Sequence, residues 1–300
     1  MVTVNKILSY LKKNGEEFAF SGDERSSIEG FSSLMNYRKN TITWCKAASK
    51  MEEANVPYTD FSLIVTCKSD IDGYKNCRNI IMVQDPKRVF FSIIEEFFDN
   101  SSTLPDIGNN TYISDDVIIG KNVKIGYNCV LDGRIEIGDN TVIYNNVNMI
   151  NKVRIGHDCI IHSGVNIGHD DFSYTEDENH NKKMIKHYGG VEIGDDVFIG
   201  AGSAVNRGTI DDTRICSGCK IDAFCHISHN VMLGEKSALI SGTRLYGSVK
   251  TGTNTYIASA IIKNQISLGD NTVVGMGSVV LNNVDDDTTV VGIPAKPLRK

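Results

Sequence analysis

Apolar residues recur at every sixth position over most of the chain, beginning at Ile113. We call this series the comb. Its first run is Ile113, Ile119, Ile125, Leu131, Ile137, Ile143, Met149, Ile155, Ile161 and Ile167, and later runs are Ile193, Ile199 and Val205, then Ile215, Ile221, Ile227, Leu233, Leu239 and Leu245, then Ile257, and finally Leu268, Val274 and Val280. A helix needs apolar spacings of three and four, and a two-layer strand alternates by two. A period of six instead predicts a β-solenoid of short strands and tight turns, with comb residues pointing into a narrow core.

The residues between the comb positions support the same fold. Gly, Asn and Asp are frequent there, and they tolerate the positive φ angles that tight corners require. The comb slips at Thr251 and is broken between Ile167 and Ile193. We predict a mainly β protein whose main domain is a parallel β-helix; an ordinary β-sandwich with regular turns is the alternative.

The first part of the chain, residues 1 to 105, does not follow the comb. Val4 to Lys12 has the spacing of a short amphipathic helix, and residues 41–44, 62–66 and 79–83 have the composition of strands. A second helix is predicted after Pro86, with Val89, Phe90, Ile93, Ile94 and Phe97 on one side. This pattern predicts a small N-terminal α/β domain.

The comb resembles that of the hexapeptide-repeat acyltransferases. That resemblance implies a left-handed parallel β-helix with three faces, and it implies an acyltransferase. The expected organisation is a small α/β domain over 1–105, the β-helix over 106–285 with a loop insertion at 169–190, and a C-terminal tail over 286–300. Proteins of that family are trimers with sites between neighbouring chains, so the resemblance also implies a homotrimer.

The segment VNRGTIDDTRICSGCKIDAFCHISHNVMLG resembles the UDP-3-O-(3-hydroxyacyl)glucosamine N-acyltransferases nearly residue by residue. The resemblance places the catalytic base on His229, its acidic orienting partner on Asp222 and a backbone N–H oxyanion donor on Gly247. A second histidine of that family is replaced here by Gln265, and His226 stands where the family usually has Gln. Histidine suits a general base because its unperturbed pKa lies near neutral pH; a surface corner histidine is the alternative for His229.

Other site residues come from the same resemblance. Asn206 and Arg207 belong to the matched N-R-G segment. Within the insertion, Phe172 and Tyr174 match a segment that reaches toward the sugar nucleotide, with Ser173 in place of a glycine. Because the insertion is highly charged and has no apolar period, we expect an exposed loop that lines the binding face.

The N-terminal segments TITWCKAASK and NIIMVQDPKRVFFSIIEEF resemble the nucleotide-binding domain of the same enzymes. Trp44 matches the aromatic residue that stacks on the base, and core packing is the alternative for this side chain. The family's following Asn and Tyr are Ala47 and Lys50 here, which weakens the case for uracil. The C-terminal VVGIPAKPLRK resembles the tail of coenzyme A-dependent acetyltransferases, which favours acyl-CoA over acyl carrier protein as the donor.

Composition narrows the remaining possibilities. A formal charge of −6 argues against nucleic acid or an anionic membrane surface as partner. The N-terminus lacks the apolar run of a signal peptide, and we expect no membrane span. The eight cysteines are expected to be reduced thiols of a cytoplasmic protein. Cys216 and Cys219 have C-x-x-C spacing without a second pair, so we expect no metal site.

We therefore predict an N-acyltransferase without a permanently bound cofactor, which uses acyl-CoA as co-substrate and modifies a nucleotide-linked amino sugar. A dTDP-linked 3-amino-3,6-dideoxyhexose of surface polysaccharide is preferred as the acceptor, and acetyl or 3-hydroxybutyryl is the expected acyl group. UDP-3-O-acylglucosamine of lipid A synthesis is the alternative acceptor. From another class, a non-catalytic scaffold or a metal-binding trimer using His157, His162 and His169 is the second hypothesis.

Overall fold

A computed structural model describes residues 1–47, 61–67, 77–100 and 103–297. The chain divides into two compact units, Met1–Ser102 and Thr103–Lys300. Each unit has its own hydrophobic core.

The described residues of the N-terminal unit form a mixed sheet with two helices, α1 (Val4–Lys13) and α2 (Pro86–Phe98). The five strands in spatial order are Ala19–Ser21, Ile80–Val83, Leu63–Cys67, Thr41–Cys45 and Gly30–Phe31. A further antiparallel pair joins Val2–Thr3 to Ser27–Ile28. Only the Ala19–Ser21 strand of the large sheet is antiparallel to its neighbour. The predicted α/β unit is confirmed, with both helices and the three central strands where the apolar pattern puts them.

The start of α2 follows from two residues. Pro86 lies in the first turn, where a missing backbone N–H costs nothing, and the Asp85 side chain accepts a hydrogen bond from the Arg88 N–H at 3.1 Å. Val89, Phe90 and Ile93 are buried against the sheet. Trp44 is half-buried, and its ring lies 6.4 Å from that of Phe90.

The second unit is a parallel β-helix with three flat sheets, which we call face 1, face 2 and face 3. The strands of face 1 are Lys124–Ile125, Val142–Ile143, Ile160–Ile161, Phe198–Ile199, Lys220–Ile221, Ala238–Leu239, Tyr256–Ile257, Val273–Val274, Thr289–Val291 and Lys296–Pro297. Those of face 2 are Tyr112–Ile113, Val130–Asp132, Asn148–Ile150, Asn166–Ile167, Ala204–Val205, His226–Ile227, Arg244–Leu245, Ile261–Ile262 and Val279–Val280. Those of face 3 are Ile118–Ile119, Ile135–Ile137, Val153–Ile155, Val191–Ile193, Thr213–Ile215, Met232–Leu233, Lys250–Thr251 and Ser267–Leu268.

The comb residues form the core of this unit. Ile125 pairs in register with Ile143 and Ile143 with Ile161, so three hexapeptides make one coil. Nearly all comb residues from Ile125 onward are almost inaccessible to solvent. Where the comb slips, Thr251 takes the same inward place, and its hydroxyl accepts a hydrogen bond from the Gly234 N–H at 2.9 Å. The buried hydroxyl is thereby satisfied, which explains how a polar residue replaces an aliphatic one.

Two consecutive coils depart from the regular spacing. The first departure is the predicted insertion, which contains an antiparallel hairpin of Tyr174–Glu176 and Lys182–Met184. The second is shorter and lies between Gly208 and Asp212. The two are joined by backbone hydrogen bonds, from the Tyr188 N–H to the Thr209 carbonyl at 2.8 Å and from the Gly189 N–H to the Gly208 carbonyl at 3.0 Å. The insertions therefore form one structure on the edge of the β-helix.

Across the described parts of the chain, no helix has the length and apolar character needed to cross a bilayer. The cysteines in these parts are free thiols. Cys219 of the C-x-x-C pair lies inside the β-helix core, and burial raises the pKa of its thiol to about 12. A thiol held neutral in this way serves as a small apolar residue.

Candidate active site

His229 lies at the corner between face 2 and face 3, directly after the strand His226–Ile227. Its ring is about a quarter exposed. Corners of this kind normally bond only to the coils above and below. Here the first insertion folds back against the corner and brings a carboxylate from 58 residues earlier in the chain.

That carboxylate belongs to Asp171. Its Oδ2 accepts two hydrogen bonds from His229, one from the ring Nδ1 at 2.8 Å and one from the backbone N–H at 2.9 Å. A ring nitrogen that donates to a carboxylate carries the proton, so the lone pair of the neutral ring lies on Nε2. Asp171 therefore fixes the tautomer of His229 and holds its Nδ1 against the insertion.

Four donors hold Asp171 in its ionised form. Its Oδ1 accepts from the Phe172 N–H at 2.8 Å and from the Asn206 side-chain amide at 3.0 Å, in addition to the two bonds to His229. Burial by itself raises the pKa of Asp171, but hydrogen bonds from the backbone N–H groups of His229 and Phe172, and from the His229 ring, outweigh it and lower the pKa to about 2. The group beside His229 is thus a carboxylate at neutral pH.

The orienting residue expected from the sequence was Asp222, and the structure corrects this assignment. Asp222 follows the strand Lys220–Ile221 and lies at the corner between face 1 and face 2. Its carboxylate accepts hydrogen bonds from the Ala223 N–H at 2.7 Å and the Ser241 N–H at 3.2 Å. Because six residues span one face, a residue seven positions before His229 belongs to the preceding corner, where it stabilises a turn.

A cleft of ≈ 360 Å³ lies beside the His229 ring. Residues predicted from the sequence that line it are Phe172, His226, His229, Gly247 and Gln265. Asp171, Ser228, Tyr246, Ser248 and Asn264 complete the lining. Within this group the His226 Nε2 lies 2.9 Å from the Ser228 hydroxyl. The insertion and the coils that follow it thus converge on one cleft.

Gly247 occupies the equivalent corner one coil after His229, and the imidazole lies directly on it. A Cβ at this position would come within 2.5 Å of the His229 Nε2. The Gly247 carbonyl accepts from the Gln265 N–H at 2.9 Å, whereas the Gly247 N–H makes no hydrogen bond to any described residue. Only glycine permits this approach, and its N–H lies beside the imidazole.

Three other residues predicted from the sequence, Asn206, Arg207 and Tyr174, contact residues of the first insertion and do not line the cleft. Arg207 is buried, and its Nε donates to Asp170 Oδ1 at 2.6 Å. Asn206 bonds to Asp171, as described above. Tyr174 lies on the insertion's hairpin, where it packs against Phe172 at a centroid distance of 5.6 Å and beneath the Lys182 ammonium. Asn206 and Arg207 thus anchor the insertion to the segment that follows the Ala204–Val205 strand, whereas the contacts of Tyr174 lie within the insertion.

The second insertion is anchored in the same way. Asp212 accepts from the Gly190 N–H at 2.6 Å and pairs with Lys152 at 2.6 Å. Asn230, next to His229, accepts from the Thr209 N–H and hydroxyl at 3.1 and 2.8 Å. Much of the matched segment therefore holds the two insertions against the corner.

Trp44 lies in the N-terminal unit between two surface cavities. One has a volume of ≈ 880 Å³ and is lined mainly by aromatic and aliphatic side chains, among them Phe31, Phe90, Phe91 and Phe98. The other, of ≈ 340 Å³, includes Lys46, Asp85 and Lys87. Of the two neighbours that the sequence singled out, Ala47 is described, and Lys50 lies outside the described residues.

Sequence reasoning missed Asp171 as the partner of His229, although it noted the segment that contains it. The available signal was a pair of aspartates, Asp170 and Asp171, immediately after the comb stops. Contacts that an insertion makes with later coils have no periodic signature, so sequence spacing could not identify the partner.

The three histidines of the metal hypothesis follow strands on three different faces. His157 follows Val153–Ile155, His162 follows Ile160–Ile161 and His169 follows Asn166–Ile167. Among the described residues, no three His, Cys, Asp or Glu side chains are grouped so as to hold a metal ion. His162 is instead stacked between Tyr144 and Phe198, with centroid distances of 4.7 and 4.9 Å.

Comparison with known proteins agrees with this architecture. A family model described as the hexapeptide repeat of succinyl-transferase matches residues 116–148, 190–223 and 252–282. The UDP-N-acetylglucosamine O-acyltransferase of Moraxella catarrhalis superposes with a TM-score of 0.58 and 23% identity, covering 65% of this chain and 74% of that chain. This protein is a left-handed β-helix of hexapeptide repeats. The predicted fold is confirmed.

Relatives found by sequence similarity carry a different name from that of the structural neighbour. The UDP-3-O-acylglucosamine N-acyltransferase of Delftia acidovorans is 33% identical over 117 residues, which are 39% of this chain and 35% of that protein. The same enzyme of Wolinella succinogenes is 34% identical over 111 residues, 37% of this chain and 35% of that protein. The chain thus spans about a third of the length of the curated relatives it matches. The resemblance to hexapeptide-repeat acyltransferases is confirmed.

Proposed function

We propose that this protein is an N-acyltransferase that transfers an acyl group from a thioester to the amino group of a nucleotide-linked sugar. The observation that carries the proposal is the hydrogen bond of 2.8 Å between the His229 Nδ1 and the ionised Asp171, beside a cleft in a β-helix that resembles acyltransferases. An amine in water is mostly protonated, so its acylation requires a base that works near neutral pH.

The site residues have distinct roles in this reaction. The acceptor reacts as its neutral amine, after the ammonium proton has been lost to solvent. Its nitrogen attacks the thioester carbonyl, and His229 Nε2 removes a proton from that nitrogen as the C–N bond forms. The Gly247 N–H donates to the oxyanion that develops on the carbonyl oxygen. When the tetrahedral intermediate collapses, the C–S bond breaks, the amide remains and the proton on His229 passes to the departing thiolate. Asp171 stays ionised and stabilises the imidazolium without taking its proton.

Of the two acceptors considered, we propose UDP-3-O-acylglucosamine, because the matched relatives carry that name. The dTDP-linked 3-amino-3,6-dideoxyhexose, preferred from the sequence, is the second candidate. It is supported by Ala47, which stands where the family of the resemblance has Asn, and by the C-terminal GIPAKP segment. Trp44, half-buried between two cavities, is proposed to stack on the nucleotide base.

Acyl-CoA is the proposed donor, with acyl carrier protein as the competitor, and a homotrimer is the proposed assembly. Both remain expectations from the resemblance. Light scattering at micromolar concentration tests the assembly, and a monomer would argue against a site shared between chains.

Assays with each combination of sugar acceptor and acyl donor test the proposed function directly. UDP and dTDP are titrated first, because the tighter nucleotide identifies the acceptor class without knowledge of the acyl chain. Purified protein is then incubated with UDP-3-O-acylglucosamine or the dTDP-linked amino sugar, each with acyl-CoA or acyl carrier protein as donor. Amide formation with either sugar, abolished in His229→Ala, supports the proposal. Tight nucleotide binding without amide formation from any pair would favour a non-catalytic β-helix, and metal analysis of the same sample checks the metal-binding alternative.

A further inference from the structure

The first insertion contributes a second imidazole to the site, which sequence reasoning did not single out. His187 is inaccessible to solvent. Its ring packs edge-on against the ring of His229, with a centroid distance of 5.5 Å and an interplanar angle of 75°. It is fully enclosed even though it lies on an inserted loop.

Hydrogen bonds fix the orientation of His187. Its Nδ1 lies 3.1 Å from the Ile185 carbonyl oxygen. Because a carbonyl only accepts, the proton of the neutral ring lies on Nδ1, and Nε2 is the acceptor. Nε2 is buried and has no partner among the described residues. A buried acceptor without a partner destabilises the fold, so packing alone would favour an apolar ring here.

The groups around His187 come from the insertion and from the corner it covers. Its backbone N–H donates to Asp170 Oδ2 at 3.3 Å, and Asp170 is itself paired with Arg207. On the other side lies His229 with its partner Asp171. His187 therefore links the ion pair that anchors the insertion to the histidine that the insertion orients.

A single hydrogen bond to Nδ1 does not by itself fix the plane of an imidazole, because the ring can rock about the bond to Asp171. The edge of His187 against the His229 ring supplies a second constraint, and contact with Gly247 supplies a third. Catalytic groups displaced by about 1 Å can lose about 100-fold in rate.

We propose that His187 is a positioning residue, whose ring holds the imidazole of His229 in the plane that directs Nε2 into the cleft. This inference rests on the proposed role of His229 as the general base. It concerns the contact between the two rings, and it assigns His187 no contact with substrate.

Two substitutions separate the ring from its hydrogen bond. His187→Phe keeps a ring of similar size and loses the donor to Ile185. His187→Gln keeps a donor and loses the ring. We expect His187→Gln to lower kcat by about 10- to 100-fold with KM within about twofold of the wild-type value. We expect His187→Phe to retain kcat within about threefold. Wild-type kcat in His187→Gln would overturn the proposal, as would an equal loss of kcat in a folded His187→Phe protein.

A second measurement does not depend on turnover. In protein labelled with ¹⁵N-histidine, the Nδ1–H proton of His229 should be protected from exchange by its bond to Asp171, and Asp171→Asn assigns the signal by removing it. We expect the signal to persist in His187→Phe and to be lost in His187→Gln. Its persistence in His187→Gln would overturn the positioning role. Loss of the signal in a protein that acylates no sugar would leave the positioning role intact and reject the proposed function instead.

Discussion

His157 and His229 occupy the same position in their hexapeptides, two residues after a comb residue, yet their hydrogen bonds are opposite. His157 lies at a regular corner, where its Nδ1 accepts from the Asp139 N–H at 2.9 Å. His229 lies one coil after the second insertion, where its Nδ1 donates to Asp171 of the first insertion. The neutral His157 ring therefore carries its proton on Nε2, and the neutral His229 ring carries it on Nδ1.

The regular corner shows what the repeat itself requires. Along the edge beside face 3, each corner side chain accepts from a backbone N–H of the preceding coil: Asp139 from Lys121, His157 from Asp139, Asp195 from His157 and Ser217 from Asp195. His157 in this series accepts the same kind of backbone hydrogen bond as the aspartates do. An acceptor is sufficient there, and no titratable group is needed.

At the corner of His229, a long-range contact with the first insertion replaces this local series of hydrogen bonds. The insertion presents Asp171 to the His229 backbone N–H, so an acceptor is still supplied, but from the loop. The imidazole is then free to donate to the same carboxylate. Breaking the repeat thus replaces a structural corner with one that holds an oriented imidazole, which is why we propose the chemistry beside the insertion.

Substituting His229 and His157 in turn should give the largest difference between the two corners. We expect His229→Ala to lower kcat by about 10²- to 10⁴-fold while nucleotide binding is retained, because proton transfer is lost with little ground-state contact. His157→Ala, the matched control, should keep wild-type kcat. The rate of the wild-type enzyme should also fall at acid pH, and this dependence should be absent from the residual activity of His229→Ala.

His226 is a second control, because it lines the same cleft and is bonded to Ser228 and not to a carboxylate. Loss of activity in His226→Ala, with activity retained in His229→Ala, would assign the role of the base to His226 instead of His229.

The next largest effect on kcat is expected from substitution of the carboxylates of Asp171 and Asp222. We expect Asp171→Asn to lower kcat on the order of 10²-fold, since an amide can present the wrong hydrogen-bond partner to Nδ1 and cannot stabilise the imidazolium. Asp222→Asn should leave kcat near the wild-type value, because its oxygens bond only to turn N–H groups. Steady-state kinetics of the two variants side by side decides between them. Equal losses of kcat in the two variants would assign Asp222 a role in the site.

Trp44 tests the N-terminal unit separately from either corner. We expect Trp44→Ala to weaken nucleotide binding by about 1–3 kcal/mol through lost stacking, and Trp44→Phe to recover part of it. Titration of Trp44 fluorescence with UDP and dTDP, and calorimetry of the variants, measure the effect. The affinity should be unchanged in His229→Ala. Unchanged affinity in a folded Trp44→Ala protein would assign Trp44 to core packing alone.

The contrast between regular coils and the insertion also explains which features of the molecule could be predicted from the sequence. Comb residues such as Ile143 and Ile199 repeat because each contacts its own equivalent one coil away, and such local contacts leave a period in the sequence. Histidine at position 229 was found through a long matched segment. Its partner was missed because Asp171 reaches it through a loop whose length and path follow no period. The resemblance places the acidic partner on Asp222, seven residues before His229, although one face of the β-helix separates the two residues.

The smallest effect concerns stability and pH. Asp171 has a pKa of about 2 in the folded protein against an ordinary value of 3.8, so the folded state binds fewer protons than the unfolded state between these values. Its contribution to stability is therefore complete above about pH 4 and disappears as the pH falls toward 2. We expect the thermal midpoint of Asp171→Asn to lie about 2–4 °C below that of the wild-type protein at neutral pH, as about 1 kcal/mol would produce. Circular dichroism melts of both proteins between pH 7 and pH 2 should show this gap closing below pH 4. A gap that stays constant down to pH 2 would mean that the Asp171 carboxylate is not held ionised by His229, and the contrast between the two corners would then rest on geometry alone.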